Sequence, residues 1–179
     1  HADDDFSKNK SIAELTDWNI YSPVWAPVSL EDQWLKLQDK DPFDYAKVER
    51  KIPASKELKV SFDLKAGQNN KGTLQIEFLD ENGIACSRME LTDDGIFRLK
   101  GGSRFANMMK YEAGKIYHVE AVLSTVDRNI QVYVDGKRVG LRMFYAPVAA
   151  VERIVFRTGV PRTFPTVDTP ADQTYDLPN

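Results

Sequence analysis

The stretch YEAGKIYHVEAVLSTVDRNIQVYVDGKRVG, residues 111–140, contains two runs in which apolar and polar side chains alternate. Alternation with a period of two is typical of strands that bury one face and expose the other. The apolar members are Tyr117, Val119, Ala121 and Leu123 in the first run and Ile130, Val132 and Val134 in the second. Asp135-Gly136 then supplies residue types that accept positive φ in tight turns. The stretch predicts antiparallel strands with one face in a core.

Short extended segments with the same character occur along most of the chain. We predict strands near 19–21, 33–38, 45–52, 58–64, 73–79, 85–91, 96–99, 116–123, 129–134 and 151–157. Turn signals such as Asn82-Gly83, Asp94-Gly95 and Gly101-Gly102 separate them. The only helical signal is short, around Ser11 to Leu15. Many short strands at such spacing predict an all-β, two-sheet antiparallel β-sandwich or jelly roll.

Tyr117-His118-Val119, followed by a hairpin and a strand ending in Val134-Asp135-Gly136, resembles a recurrent pattern of a known superfamily. The resemblance is to the concanavalin A-like lectin/glucanase superfamily, including its laminin G-like members, and covers roughly residues 57–158. It implies a concanavalin A-like jelly roll and supports this fold better than any one activity.

The composition narrows the class of protein. A chain of 179 residues with 42% hydrophobic residues is suited to one domain with a sizeable core. A formal net charge of -3 gives no electrostatic footprint for nucleic acid, and no apolar run is long enough to span a membrane. The single Cys86 excludes an internal disulfide. The chain begins HADDDF without Met, so we expect that any targeting segment has been removed.

The two ends differ from the middle of the chain. We predict an N-terminal extension over 1–18, a β-sandwich domain over 19–158 and an irregular, Pro-rich C-terminal tail or linker over 159–179. The tail contains Pro161, Pro165, Pro170 and Pro178 without a regular period. We expect it to cross the surface of the domain or to lead into another domain.

The segment TLQIEF, residues 73–78, can be compared with the catalytic motif of the superfamily's glycoside hydrolases. Laminarinase-like enzymes of the superfamily carry E-x-D-x-(x)-E, whose spacing aims carboxylates at one substrate groove. Only Glu77 matches this motif, because Thr73 and Gln75 occupy the positions of the other two carboxylates. The carboxylate pair needed for retaining hydrolysis is therefore missing.

Fragments of the chain resemble alginate lyase motifs on the same fold. Arg88-Met89-Glu90-Leu91 matches R-x-E-L, but Gln75-Ile76 is followed by Glu77 where those enzymes have His. His118 is the only internal histidine, and its neighbour Tyr117 should face the opposite side of the strand. These departures favour a non-catalytic module, with a lyase or a hydrolase as the alternative.

The polar sides of the predicted strands supply the candidate ligand-binding residues. If they share a sheet, their amides, carboxylates and guanidinium groups can bond sugar hydroxyls or an acidic sugar. Trp25 joins them because prolines flank it and an exposed indole can stack on a sugar ring. The candidates are Gln75, Glu77, Arg88, His118, Glu120, Gln131, Tyr133, Arg153, Arg157 and Trp25. A solvated sheet exterior with cross-strand ion pairs gives the same pattern.

A structural calcium ion is an open alternative, because lectin and laminin G-like sandwiches often hold one. Asp3-Asp4-Asp5, Asp39 with Asp41, and Asp80-Glu81-Asn82 offer oxygen ligands, although none forms an EF-hand loop.

We therefore predict a carbohydrate-binding or structural ancillary module of a glycan-active bacterial protein that is secreted, periplasmic or at the cell surface. Its expected partners are a poly- or oligosaccharide and an adjacent catalytic domain. The alternative is a polysaccharide lyase or glycoside hydrolase of the same fold that acts on an acidic glycan.

Overall fold

A computed structural model describes residues 2–159, which contain thirteen strands and two single-turn 3-10 helices. The strands are β1 (Trp18–Tyr21), β2 (Val28–Glu31), β3 (Trp34–Leu37), β4 (Lys47–Ser55), β5 (Glu57–Lys65), β6 (Leu74–Leu79), β7 (Ala85–Leu91), β8 (Ile96–Gly101), β9 (Arg104–Lys110), β10 (Ile116–Ser124), β11 (Asn129–Val134), β12 (Lys137–Met143) and β13 (Val151–Thr158). No helix in this part of the chain is long and apolar enough to cross a membrane.

The strands form two large sheets and one small one. The larger sheet has seven strands in the order β1-β4-β13-β6-β7-β8-β9, and the second has four in the order β12-β11-β10-β5. A hairpin of β2 and β3 forms the small sheet. Every pairing is antiparallel. The predicted two-sheet β-sandwich of the jelly-roll type is therefore confirmed.

The main core lies between the two large sheets and uses the apolar sides that the alternation predicted. Ile76 and Phe78 of β6 are 0% exposed, as are Val119 of β10 and Val132 of β11. Burying such a side chain contributes about 1.5–3 kcal/mol. Because neighbouring residues of a strand face opposite ways, burial of this apolar set leaves Gln75 and Glu77 on the outer side of the seven-stranded sheet.

A second, smaller core lies under the N-terminal hairpin. Ala26, Val28, Ala46 and Val48 are buried there, and Trp18 packs against them. Leu35 and Leu37 of β3 close the cluster from the side of the hairpin. This core joins the β2–β3 hairpin to the β1–β4 end of the large sheet, and Trp18 serves packing within it.

Strand β2 was missing from the sequence prediction because its turn has no glycine. Asp32 and Gln33 connect β2 to β3, and both adopt left-handed backbone conformations, with φ of 51° and 70°. Two left-handed residues are what a two-residue type I′ hairpin requires. Asp135 and Gly136 form the corresponding two-residue turn between β11 and β12, and both have positive φ. The glycine made this turn recognisable from the sequence.

Strands β9 and β12 were also missing from the prediction. β12 contains Gly140, which weakens the strand signal. The reason for this glycine is steric, because a Cβ there would lie 2.6 Å from Met108 Sδ and 3.2 Å from Leu99 Cδ2. Gly140 thus allows β12 to approach β8 and β9 at the edge of the sandwich.

The predicted helix near Ser11 to Leu15 is a single 3-10 turn over Ile12–Glu14. Ser11 makes no capping bond from its side chain, whereas Glu14 Oε2 accepts a hydrogen bond from Lys10 N at 2.6 Å. The Pro-rich tail from residue 160 onward lies outside the described residues, so the domain boundaries remain predictions.

Candidate functional site

The predicted ligand-binding residues are divided between the two outer faces of the sandwich. Gln75, Glu77, Arg88, Arg153 and Arg157 lie on the outer side of the seven-stranded sheet. His118, Glu120, Gln131 and Tyr133 lie on the outer side of the four-stranded sheet. Trp25 lies on neither face but in the loop between β1 and β2. The candidates therefore do not form one site.

The outer side of the seven-stranded sheet, here called the seven-strand face, is rich in charge. Its charged members are Lys47, Glu49, Lys51, Glu77, Arg88, Glu90, Arg98, Lys100, Arg153 and Arg157. Cations outnumber carboxylates in this set. A face of this composition favours anionic ligands over neutral ones.

One half of the seven-strand face is buried. Glu49 is 1% exposed, Gln75 0% and Arg157 3%. Arg153 Nη1 donates to Glu49 Oε1 at 3.3 Å, and the Arg157 guanidinium lies 4.1 Å above the ring of Tyr45. These contacts satisfy polar groups that would otherwise be costly to bury. Glu77 is only 9% exposed, and Gln75 is fully buried. The sequence analysis allowed these two side chains to be either solvated or in contact with a ligand, and the solvated alternative is wrong.

A hydrogen-bonded row crosses β6, β7 and β8. The Gln75 amide donates to Glu90, and Arg98 Nε donates to Glu90 Oε1 at 2.7 Å. The Arg98 guanidinium also lies 4.1 Å above the ring of Phe105 on β9. Gln75 Oε1 is buried and accepts no hydrogen bond. The row fixes the orientation of Arg98, whose side chain is 34% exposed at the edge of the buried half.

A second group lies beside this row, formed by Glu77, Arg88, Lys100 and Tyr145. Arg88 donates to Glu77 Oε2 from Nη2 at 2.9 Å and from Nε at 3.3 Å. Lys100 Nζ lies 4.4 Å above the ring of Tyr145. The Tyr145 hydroxyl is buried and has no hydrogen-bond partner. We call these four residues the anion cluster.

Electrostatics distinguish the two cations of the anion cluster. Arg88 is ion-paired with Glu77, whereas Lys100 has no ion pair among the described residues. Burial and then the charge of Arg88 lower the pKa of Lys100 below the ordinary value of 10.5. Burial also raises the pKa of Tyr145, so its hydroxyl keeps its proton. The cluster therefore offers an ammonium that has no ion pair among the described residues and a guanidinium beside one carboxylate, next to a tyrosine whose hydroxyl is buried.

The outer side of the four-stranded sheet, here called the four-strand face, is open to solvent. His118 Nδ1 lies 2.8 Å from Asp63 Oδ1, with side chains 55% and 60% exposed. Lys59 Nζ lies 3.4 Å from Glu120 Oε2, and the Tyr133 hydroxyl donates to Gln131 Oε1 at 3.0 Å. Cross-strand pairs of this kind contribute little to stability.

Trp25 is 65% exposed, in keeping with the exposed indole expected from its flanking prolines. Val24 beside it and Phe43 in the loop before β4 are 83% and 61% exposed. Lys40 N donates to Trp25 O at 2.8 Å, which joins the two loops. The indole is thus held at a loop surface, away from the anion cluster on β7 and β8.

The groups needed for a lyase or a hydrolase are not brought together. His118 projects from the four-strand face, whereas Arg88 and Glu77 lie on the seven-strand face. Tyr117 is 6% exposed on the core side of β10, opposite to His118, as its strand parity predicted. The Cys86 thiol is buried, and burial raises its pKa to about 12, which makes it a poor nucleophile.

The acidic segments considered for calcium serve other contacts. Arg50 Nε donates to Asp4 Oδ2 at 2.8 Å, Thr158 Oγ1 donates to Asp39 Oδ2 at 2.8 Å, and Asp80 Oδ1 accepts from the backbone of Asn82 at 2.9 Å. Across residues 2–159 no three His, Cys, Asp or Glu side chains group in a way that could hold a metal ion. No metal site is built from them.

Several residues of the seven-strand face escaped the sequence analysis. Arg98 and Lys100 alternate with Phe97 and Leu99 on β8, so strand parity alone could have identified them. Glu90 lies two residues after Arg88 and was open to the same argument. Tyr145 follows β12 in an irregular loop, where periodicity gives no signal.

Comparison with known proteins places the chain in a family. The sequence profile of a family described as "Sialidase-like, CBM domain", where CBM denotes a carbohydrate-binding module, matches residues 18–173. A search of curated proteins gave no match.

Two solved structures illustrate the similarity. A sialidase is 88% identical over 100% of this chain with a TM-score of 0.91, and this chain spans 16% of the sialidase chain. The apo Crh5 transglycosylase has a TM-score of 0.60 at 12% identity, with 87% of this chain and 67% of that chain covered, which shows the fold alone. The prediction of a carbohydrate-binding or structural ancillary module is confirmed in its first form, and the chain belongs to the sialidase-like carbohydrate-binding module family.

Proposed function

We propose that this module binds the acidic, sialic-acid-bearing ends of glycans through the anion cluster of the seven-strand face. The observation that carries the proposal is Lys100, a half-buried ammonium that has no ion pair among residues 2–159 and lies over the Tyr145 ring. A partly buried cation that makes no direct ion pair is costly unless a ligand neutralises it. An ionised sugar carboxylate would do so.

The neighbours of Lys100 suit the same ligand. Arg88 contributes a second positive charge, and one carboxylate, that of Glu77, offsets the pair. The Tyr145 ring lies 4.4 Å from Lys100 Nζ and positions the ammonium, while the tyrosine hydroxyl itself is buried. Charge-assisted bonds from lysine and arginine to a carboxylate are stronger than bonds between neutral groups. The cluster therefore supports recognition of a sugar that carries a carboxylate.

The choice of sialic acid among the acidic sugars rests on the similarity of this chain to part of a sialidase. The 88%-identical chain is a sialidase, and this chain corresponds to a small part of it. A module that holds sialylated glycan would keep a neighbouring catalytic domain close to its substrate and raise its effective concentration. On this proposal the partner is a sialidase catalytic domain, and the setting is a secreted or cell-surface bacterial enzyme acting on glycans outside the cell.

The remaining sequence candidates take different places in this proposal. Glu77 orients Arg88 beside the ligand, and Gln75 orients the neighbouring Arg98 through Glu90. Arg153 and Arg157 stabilise the buried half of the face. Trp25 is a peripheral contact for a longer glycan, since its exposed indole can stack on a sugar ring.

The test is calorimetric titration of the isolated module with sialyllactose, with lactose as the uncharged comparison. We expect Lys100→Met to weaken sialyllactose binding about 10- to 100-fold, as loss of a charge-assisted bond predicts. The matched control is Lys65→Met on β5, an exposed lysine on the other sheet, and it should leave the affinity unchanged. Because Lys100 has no ion pair among the described residues, its removal should preserve the fold.

Two results would overturn the proposal. One is equal affinity of Lys100→Met and the unchanged protein for sialyllactose. The other is release of free sialic acid or of unsaturated sugars by the isolated module, which would make it an enzyme and move attention back to Glu77 and His118.

A further inference from the structure

A groove of about 450 Å³ lies on the four-strand face, far from the anion cluster. It follows β5, β10 and β11 near the turn that joins β10 to β11. Its volume falls within the ~300–1,000 Å³ that small-molecule sites occupy. The side chains that carry the argument are Glu57, Val122, Ser124, Asp127, Asn129 and Gln131.

Strand register arranges these side chains in two rows. Val122 lies opposite Gln131, and Ser124 lies opposite both Glu57 and Asn129. On the far side of β11, Gln131 faces Leu141, and Asn129 faces Met143. Leu141 and Met143 are 49% and 57% exposed. The groove thus combines a polar floor with an exposed aliphatic rim on β12.

The polar groups of the groove are held in place. Gln131 lines the groove, and its Oε1 accepts from the Tyr133 hydroxyl at 3.0 Å, which leaves the amide nitrogen as the donor of this side chain. Ser124 Oγ accepts from Asp127 N at 3.1 Å, which fixes the turn that carries the Asp127 carboxylate. Glu57 and Asp127 have no ion pair among the described residues and can accept hydrogen bonds.

The charge of the groove selects against acidic sugars. Lys59 also lines the groove but is already paired with Glu120 at 3.4 Å, and no ion pair among the described residues compensates the carboxylates of Glu57 and Asp127. A sialate, uronate or sulfate would be repelled there. A neutral sugar ring fits the chemistry, because its hydroxyls both donate and accept hydrogen bonds and its C–H face can pack on Val122, Leu141 and Met143.

We propose that this groove is a second glycan-binding site, which takes a neutral hexopyranose or N-acetylhexosamine. It lies on the face of the sandwich opposite to the anion cluster, so the two sites cannot hold the same sugar ring. The module would then bind two glycan branches, an acidic end on one face and a neutral segment on the other. Two weak sites joined in this way raise the strength of attachment to a glycan-coated surface.

The experiment is titration of the isotopically labelled module with methyl glycosides of galactose, glucose, N-acetylglucosamine and N-acetylgalactosamine, followed by NMR. We expect saturable shifts of backbone amides in residues 122–131 with at least one glycoside. Gln131→Ala and Asn129→Ala should each weaken that binding about tenfold. Asn107→Ala, which changes an exposed asparagine on β9 of the other sheet, is the matched control, and it should leave the shifts in the groove unchanged.

The outcomes separate this proposal from the previous one. Shifts confined to the surroundings of Arg88 and Lys100, or no saturable shift in the groove with any of the glycosides, would overturn the second site. Retained affinity in both Gln131→Ala and Asn129→Ala would do the same. The failure of this second site would not affect the proposed binding of sialyllactose at Lys100, because the two sites lie on opposite faces of the sandwich and are tested with different ligands.

Discussion

The two outer faces of the sandwich use charged residues in different ways. On the seven-strand face, Glu49 and Arg153 pair with side chains that are only 2% and 12% exposed. On the four-strand face, Asp63 and His118 pair with side chains that are 60% and 55% exposed. The same kind of cross-strand contact is therefore buried on one face and solvated on the other.

This difference bears on both structure and recognition. A buried charge is costly to leave without its partner, whereas an exposed pair is screened by water and contributes little. Most carboxylates and guanidinium groups of the seven-strand face hold one another, whereas Lys100 is a cation of this face that makes no ion pair among residues 2–159. The polar groups of the four-strand face are separate from the packing, so they can bind or be replaced at little cost to the fold.

The largest effect should come from breaking the buried pair. Glu49→Ala leaves Arg153 in the buried half without a carboxylate that it contacts at 3.3 Å, and removes the acceptor of Asn19 at 3.3 Å. We expect the free energy of unfolding to fall by about 3 kcal/mol, the cost typical of breaking a buried ion pair. Urea denaturation measures it.

The control for this variant is Glu112→Ala, which removes an exposed glutamate that lies 3.7 Å from Lys115 with a side chain 74% exposed. It should change stability by less than about 0.5 kcal/mol. If Glu49→Ala proved as mild as Glu112→Ala, the seven-strand face would not be a stabilising network.

An intermediate effect concerns pH and sharpens the role of Lys100. Because burial and Arg88 lower its pKa below 10.5, Lys100 loses its proton at a lower pH than an exposed lysine does. An acidic ligand stabilises the protonated form, so affinity for sialyllactose should be highest at neutral pH and fall as pH rises through that lowered pKa. At the end of this decline the affinity should approach that of Lys100→Met, about tenfold weaker.

Isothermal titration at constant ionic strength between neutral and strongly alkaline pH would follow this decline. Lys100→Met should show no decline over the same range, because Arg88 stays charged and the raised pKa of Tyr145 keeps its hydroxyl protonated. A decline of equal size in the variant would assign the titration to another group.

The fold was predictable where local pattern and tertiary packing agree. The alternation around Ile76 and Val119 predicted both the strands and their core sides, since each strand buries one face only. Strand β2 escaped because Asp32-Gln33 forms a left-handed turn without glycine, a conformation that its surroundings hold and its composition does not signal. Strand β12 was not predicted because Gly140 weakens the strand pattern. In the structure this glycine marks a close approach between strands.

The candidate sites were only partly predictable. Strand parity identified Glu77 and Gln131 as outward-facing, but it cannot say that they belong to opposite faces, because the pairing of distant strands decides this. Nor can parity separate the buried Gln75 from the exposed His118, since what covers a sheet is set by the rest of the chain. Tyr145 belongs to the anion cluster but lies in a loop, where side chains do not alternate in a regular pattern that could predict its position.

The smallest effect should come from the exposed pair. Asp63→Ala removes the carboxylate that lies 2.8 Å from His118 Nδ1, but water can replace it because both side chains are more than half exposed. We expect a change in the free energy of unfolding of about 0–0.5 kcal/mol, measured by the same urea denaturation as Glu49→Ala. A loss above about 1.5 kcal/mol would show that the four-strand face carries structural charge after all. Glycan binding in the groove could then no longer be treated as independent of the stability of the sheet beneath it.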